Sequence, residues 1–146
     1  MKTIQKVKRL KLNIEQNNEY ILLGLVSAEP DYKLSLLLNK KLGLSLKNIL
    51  PLRLTGNNKS DLTFSRFSSN INNEDLVIDL VSNRSGKNYL INKLKNVDYL
   101  LQIQISDKEI NLNNMTSSLR EIDSITAIFN IDINTLKDKN LHYLIQ

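Results

Sequence analysis

The residues whose types could support chemistry in this sequence are two aspartate–tyrosine pairs, Asp31–Tyr32 and Asp98–Tyr99. An aspartate can take up a proton or bind a cation, and a tyrosine hydroxyl can donate a hydrogen bond to a ligand. The two pairs lie far apart along the chain, so they could form one small-molecule or enzymatic site only if the fold brings them together. Structural roles are the alternative: Asp98 could accept a hydrogen bond at a turn or strand start, and Tyr99 could lie in the core with its hydroxyl paired.

Other catalytic and metal sites find little support in the composition. A histidine-centred triad would depend on the only histidine, His142, which lies four residues from the end of the chain. The absence of cysteine excludes thiol chemistry and, with a single histidine, nearly every transition-metal site. The acidic residues are scattered, and the nearest pair, Glu29 and Asp31, is better explained by the start of a helix. The sequence therefore predicts no catalytic residue, no metal and no cofactor.

A phosphate-binding loop is excluded by two mismatches. Ser85, Gly86 and Lys87 resemble the end of such a loop. The glycine that the loop requires five residues before Gly86 is Val81, and Asn88 stands where serine or threonine is needed.

The excess positive charge is confined to an N-terminal arm, residues 1–12. Five of the 20 basic residues and none of the 15 acidic ones lie in it, so the rest of the chain is neutral. The arm could contact nucleic-acid phosphates weakly, or it could be a solvated edge strand whose lysines prevent stray pairing. Phe64 and Phe67 are three apart and should face opposite sides of a strand, so they do not form a base-stacking surface together. The basic residues of the arm are Lys2, Lys6, Lys8, Arg9 and Lys11.

Length and composition predict one cytoplasmic domain that spans residues 1–146. Hydrophobic residues are 41% and charged residues 24% of the chain, and two prolines and four glycines leave no room for a long linker. A signal peptide is not expected, because polar residues 13–19 separate the basic start from apolar residues 20–28. No apolar run approaches the ~20 residues that a membrane-spanning helix needs, and the absence of cysteine fits a reducing compartment.

Residues 97–105 carry the clearest structural pattern, an alternation at period two that predicts a strand. One face should be buried and the other wetter. The predicted buried face consists of Val97, Tyr99, Leu101, Ile103 and Ile105, and the wetter face of Asp98, Leu100, Gln102, Gln104 and Ser106.

Further strands are predicted at residues 7–14, 20–26, 50–54, 62–68, 76–81 and 142–145. Residues 20–26 are apolar on both faces, which indicates a central strand, and Gly24 within it marks a bulge or a close backbone approach. Pro51 indicates an edge strand or a strand start. Residues 83–88 should form a loop, whereas residues 89–94 fit either a short helix or an extended segment.

Two amphipathic helices are predicted, at residues 30–42 and 112–129. The first has Pro30 and Asp31 at its start and Gly43 at its end. Its sheet-facing residues should be Leu34, Leu37, Leu38 and Leu42. The apolar stripe of the second helix consists of Leu112, Met115, Leu119, Ile122, Ile125 and Phe129. Together these elements predict an α+β fold, a mostly antiparallel sheet of five to seven strands with two packed helices.

Residues 91–99, INKLKNVDY, resemble the signature of the bacterial IPExxxVDY family. Asn92 and Lys93 stand in place of its proline and glutamate, and segments 31–46 and 125–137 are similar to other recurrent blocks of the family. The resemblance implies a small cytoplasmic protein without an assigned activity. Because Lys93 reverses the charge of the glutamate, either this member is inactive or the motif is structural, and we favour a structural motif. The matched residues are Ile91, Val97, Asp98 and Tyr99.

Three functions are compatible with these observations. The first expectation is a non-enzymatic binding or assembly module, which could be a homodimer, because no coherent catalytic set is present and sheet edges can pair with another chain. The second is weak nucleic-acid association through residues 1–12. The third is a small-molecule site at Asp31, Tyr32, Asp98 and Tyr99. The expected partner is therefore a protein or a second copy of this chain, and no membrane is expected.

Overall fold

A computed structural model describes residues 19–55, 61–69, 76–105 and 112–144. Two single turns of 3₁₀ helix, Asn92–Leu94 and Leu141–Tyr143, accompany the longer elements. In chain order the longer elements are β1 Glu19–Ser27, α1 Asp31–Leu42, β2 Lys47–Thr55, β3 Asp61–Ser69, β4 Leu76–Ser82, β5 Arg84–Ser85, β6 Asn88–Tyr89, β7 Tyr99–Ile105, α2 Leu112–Arg120 and β8 Ile125–Ile131.

Six of the described strands form one sheet in the order β2-β3-β4-β7-β1-β8, and every neighbouring pair is antiparallel. The short strands β5 and β6 pair with each other as a separate hairpin. The predicted α+β fold with five to seven strands and two helices is therefore confirmed. The predicted strand at residues 7–14 and the basic arm lie outside the described residues.

The centre of the sheet is apolar on both faces, as predicted for the first described strand. β1 lies between β7 and β8. Leu23 and Leu25 belong to an apolar cluster that α1 and α2 cover, and Leu22 belongs to a second cluster on the opposite face. Burial on both sides explains why this strand is a continuous apolar run rather than an alternating one.

The predicted division of residues 97–105 into a buried and a wetter face is wrong in two respects. β7 begins only at Tyr99, and Val97 packs with Leu100 in the second cluster rather than with Tyr99 in the first. Leu100 is fully buried and Gln102 is 7% exposed, so the second face is covered as well. β7 lies between β4 and β1, and a strand in that position has no wet face unless one side of the sheet is open. Ser106 lies outside the described residues.

The first helix follows its sequence signals closely. Pro30 is the extended N-cap residue, and Gly43 ends the helix in the left-handed region at φ 67°. Leu34 and Leu38 are fully buried against the sheet, and Leu37 and Leu42 pack at the edge of the same cluster. The predicted sheet-facing leucines are therefore confirmed.

The second predicted helix is too long. α2 ends at Arg120, and residues 125–131 form β8, which pairs with β1. Ile125, Thr126 and Ile128 are β-branched, so they favour a strand, and their apolar spacing fits both periods. Pairing with β1 decides between the two.

Two segments that lie about 40 residues apart in the sequence cover the second face. Residues 83–94, expected as a loop followed by an ambiguous segment, form the β5–β6 hairpin and a 3₁₀ turn, with Gly86 at φ 61° in the hairpin turn. Residues 133–144 pack against the same cluster. The prediction of a strand at residues 142–145 is wrong for residues 142–144, the part that the structure describes. Leu141–Tyr143 form a 3₁₀ turn instead.

The far edge strand, β2, is longer than predicted but lies where Pro51 indicated. Its register with β3 shifts between Ile49 and Leu52, around the proline. Because proline cannot donate a ladder hydrogen bond, an edge position with an irregularity accommodates it.

Gly24 is required by the close approach of Val97. A Cβ atom at position 24 would lie 2.9 Å from Val97 Cγ2 and 3.0 Å from Ile131 Cδ1, which is closer than side chains normally come. Of the two predicted roles of this glycine, the close approach is the one observed. The valine fills the space that the missing side chain leaves over β1.

We predict that Gly24→Ala lowers the free energy of unfolding by about 1–3 kcal/mol, because the new methyl group overpacks the contact with Val97. Adding Val97→Ala should recover part of this loss, so that the double variant is more stable than the sum of the two single effects predicts. Chemical denaturation measures all three variants. The control combines Gly24→Ala with Val81→Ala, another buried valine of the same cluster; those two losses should add. Additive losses for the Gly24–Val97 pair would contradict the prediction.

Candidate functional site

A cleft lies at the end of the sheet where β1 and β4 finish and β7 starts. Because β7 runs opposite to its neighbours, Tyr99 lies beside Leu25 of β1 and Ser82 of β4. The cleft is open to solvent, has a volume of about 570 Å³ and includes Glu29, Arg84, Asp98 and Tyr99 in its lining. A second cleft of about 360 Å³ adjoins it and includes Asp31. Ser82 and Arg84 line both.

Asp98 joins three parts of the chain at the cleft. Its Oδ2 accepts a hydrogen bond from the main-chain N–H of Ser27 at 2.9 Å, and its Oδ1 lies 2.6 Å from Nε of Arg84. Its main-chain N–H donates to the carbonyl of Leu25 at 2.9 Å. Asp98 is thus the strand-start acceptor considered from the sequence, and it also borders a cleft.

Tyr99 lies in the core with its hydroxyl paired. The residue is only 8% exposed, and the hydroxyl donates to the main-chain carbonyl of Glu29 at 2.5 Å. Burial, together with the negative charges of Asp31, Asp98 and Glu29, raises the pKa of Tyr99 to about 12. The phenol therefore stays neutral and acts as a hydrogen-bond donor at physiological pH.

Arg84 is held in place between the two clefts. Its Nε pairs with Asp98, and its guanidinium lies 5.2 Å from the ring centroid of Tyr89 across the β5–β6 hairpin. Its main chain is fixed as well, because the hydroxyl of Ser82 donates to the Arg84 carbonyl at 2.9 Å. The side chain nevertheless remains 46% exposed.

The structure brings three of the four predicted site residues together. Asp98 and Tyr99 line one cleft and Asp31 lines the next, while Tyr32 lines neither and is 61% exposed. Tyr32 differs because it follows Asp31 on the outer side of α1, where its N–H donates to the Asp31 carboxylate at 2.6 Å. The two Asp–Tyr pairs thus converge through both aspartates and one tyrosine.

The charges around the joined clefts are mainly negative. Among the described residues that line them, Glu29, Asp31 and Asp98 supply three carboxylates, and Arg84 is the one basic residue. Lys33 approaches Glu29 at 3.8 Å, but its side chain is 58% exposed and the pair is weak. An acidic site is notable in a chain whose formal net charge is +5.

Asn83 positions the matched motif, a role that the sequence did not predict. This asparagine is fully buried, and its side-chain Nδ2 donates to the carbonyls of Leu94 and Val97, both at 2.9 Å. Its Oδ1 accepts from the N–H of Ile91 at 2.8 Å, and its main-chain N–H donates to the Asp98 carbonyl at 2.9 Å. Three of the four matched motif residues therefore bind Asn83. In the sequence it is one asparagine among many in turns, and nothing local indicates that it is buried.

Lys93, which stands where the motif has glutamate, points away from the clefts. The side chain is exposed, and its Nζ contacts the carbonyl of Lys137 in the C-terminal segment. It lines neither cleft. The charge reversal at this position therefore leaves the cleft residues unchanged.

The remaining sequence candidates lie elsewhere. His142 is exposed, with Nδ1 2.8 Å from the Lys139 carbonyl and its ring beside Tyr143. Phe64 and Phe67 are both buried and lie in opposite clusters, as their spacing predicted. Among the described residues, no three acidic or histidine side chains gather as a metal site requires. Within those residues, too, no helix is long and apolar enough to cross a membrane. The basic arm, which contains Lys2, Lys6, Lys8, Arg9 and Lys11, lies outside them.

Comparisons with known proteins do not assign the clefts. No protein-family model matches the chain, and no curated protein or solved structure has a significant match to it. The resemblance of residues 91–99 to the IPExxxVDY signature therefore stays a prediction.

We predict that Asn83→Ala lowers the free energy of unfolding by about 3 kcal/mol or more, because it takes the side-chain partner from the buried Val97 carbonyl and the buried Ile91 N–H. It also removes one of the two donors to the Leu94 carbonyl, which keeps the N–H of Val97. Asn140→Ala is the matched control, since that buried asparagine donates one side-chain hydrogen bond, to the Leu90 carbonyl at 2.6 Å. The control should cost about 1–2 kcal/mol. Equal losses in denaturant unfolding would contradict the central role of Asn83.

We predict that Tyr99 makes the protein less stable at high pH. Its folded pKa of about 12 exceeds the ordinary value of 10.0, so the stabilisation is fully present below pH 10 and is lost as the pH rises from 10 to 12. Tyr99→Phe should abolish this part of the pH dependence, as measured by unfolding at several pH values. Tyr32→Phe is the control and should retain it. The same slope in the wild type and in Tyr99→Phe would show that another group is responsible.

Proposed function

We propose that this protein is a non-enzymatic cytoplasmic binding module, and that the joined clefts bind a ligand through a positively charged nitrogen, an ammonium or a guanidinium group. The observation that carries the proposal is the surplus of carboxylates, three against one arginine, among the lining residues that the structure describes. The cytoplasmic location rests on the absence of cysteine.

Charge favours a cationic ligand here. Clefts lined by one sign of charge concentrate the field and attract ions of opposite sign. Asp98 already pairs with Arg84 at 2.6 Å, which leaves Glu29 and Asp31 as the carboxylates available to a ligand. The exposed Lys33 pairs only loosely with Glu29 and could be displaced.

The same contacts argue for binding rather than catalysis. A nucleophile needs an adjacent base, and the hydroxyls in the cleft bond to the main chain instead. Ser27 Oγ accepts from the N–H of Glu29 at 3.2 Å, and Ser82 Oγ donates to the carbonyl of Arg84 at 2.9 Å. With a pKa of about 12, Tyr99 is also far from the range in which a general base operates.

Nucleic acid is a poorer ligand for this region. Phosphates would meet three carboxylates in the lining, so their binding would be opposed by charge. Association with nucleic acid stays a prediction for the N-terminal arm alone.

The test adds agmatine or putrescine as cationic probes, or phosphate as the anionic probe, to the protein at low salt. Nitrogen–proton correlation NMR detects the binding. We expect the cations to shift the signals of Ser27, Arg84 and Asp98, and the shifts to weaken as salt is added. Asp31→Asn should raise the dissociation constant about five- to tenfold, as expected for about 1 kcal/mol.

Asp132→Asn is the matched control. It makes the same charge change just after the end of β8 that lies away from the clefts. It should leave the affinity unchanged. Tighter binding of phosphate than of the cations, or cation shifts that are absent from the cleft, would overturn the proposal.

A further inference from the structure

β8 ends the sheet with an unprotected edge. Among the described residues no strand pairs with its outer side. The strand, ITAIFNI, contains no charged residue, proline or glycine. Exposed edges normally carry such residues because unpaired N–H and C=O groups invite another strand.

The opposite edge strand carries that protection. β2 contains Pro51 in its middle and the charged residues Lys47 and Arg53. Its register also breaks between Ile49 and Leu52. β8 has one irregularity, at its start, where Ser27 of β1 is opposite Ile125, and the ladder from Ala127 to Ile131 is regular. The two edges of one sheet therefore differ in the features that prevent pairing.

We propose that β8 is a self-association edge, at which two copies of this chain pair their β8 strands antiparallel about a two-fold axis through Ile128. The axis makes Ile128 its own partner and places Ala127 of each copy opposite Phe129 of the other. The small Ala127 leaves room for the large Phe129, whose side chain is 41% exposed in the single chain. Strand addition supplies the backbone hydrogen bonds, and this side-chain pair fixes the register.

The absence of charge on β8 allows a second copy to occupy this edge. The excess positive charge of the chain lies in residues 1–12, and β8 itself carries no charged side chain. Two copies can therefore pair along this strand without placing like charges opposite each other. The contact is narrow, so we expect a dimer that dissociates in the micromolar range. The inference does not depend on the ligand of the clefts.

The first test measures the mass of the full chain by light scattering and sedimentation over a range of concentrations. We expect a concentration-dependent shift from 16.8 kDa to twice that mass. Phe129→Lys should raise the dissociation constant about tenfold or more, because it places two new charges at the dyad. Leu50→Lys is the matched control: it puts the same residue at an 81% exposed position of the other edge and should leave the dimer intact. Circular dichroism checks that both variants are folded.

The second test determines the register of the paired strands by disulfide cross-linking. The chain has no cysteine, so each variant contains only the one that is introduced. Ile128→Cys should form an intersubunit disulfide, since the two Cα atoms at the axis lie about 4.5–5.5 Å apart. Asn130→Cys should not, because its two copies are separated by about 13 Å along the strands.

Four results would overturn the inference. They are a monomer at every concentration, a dimer that Phe129→Lys leaves unchanged, a dimer that Leu50→Lys disrupts, and cross-linking at position 130 rather than 128. A monomer would mean that residues 1–18 or another protein cover β8 instead.

Discussion

The buried amide of Asn83 is the interaction on which the rest of this structure depends. This residue makes five hydrogen bonds, which tie the end of β4 to residues 90–91 and 94–98. An unpaired buried polar group costs about 1–3 kcal/mol, so each of these bonds constrains the path of the chain. The segment before β7 can therefore lie in only one place, and from that place Asp98 reaches both β1 and Arg84.

Two consecutive residues then fix the connection between β1 and α1. Asp98 accepts a hydrogen bond from the N–H of Ser27, and Tyr99 donates one to the carbonyl of Glu29. The same connection carries the carboxylates of Glu29 and Asp31 into the lining of the clefts. The residues of the matched motif thus hold the chain together and also border the clefts, because the contacts that hold the chain determine where its charges lie. This preorganisation would reduce the ordering cost of binding the proposed cationic ligand.

Sequence patterns predicted the elements that local signals define and missed those that tertiary contacts decide. α1 begins after Pro30 and ends at Gly43 as expected, because a cap and a left-handed residue act within one turn. Residues 125–129 fit helical spacing and strand propensity at once, and pairing with β1 makes them a strand. Asn83 gave no local sign of burial. The convergence of the two Asp–Tyr pairs likewise depends on the pairing of β1 with β7, which no spacing along the chain encodes.

The geometry of β8 makes the two proposals compatible. Thr126, near its start, lines the larger cleft, whereas the axis of the proposed dimer passes through Ile128. Because the paired strands run in opposite directions, the clefts of the two copies would lie at opposite ends of the joined sheet. A cation bound in one cleft would then be far from the other, so charge repulsion between two bound ligands would be screened by salt. Each copy would bind its ligand independently, and association would neither require the ligand nor exclude it.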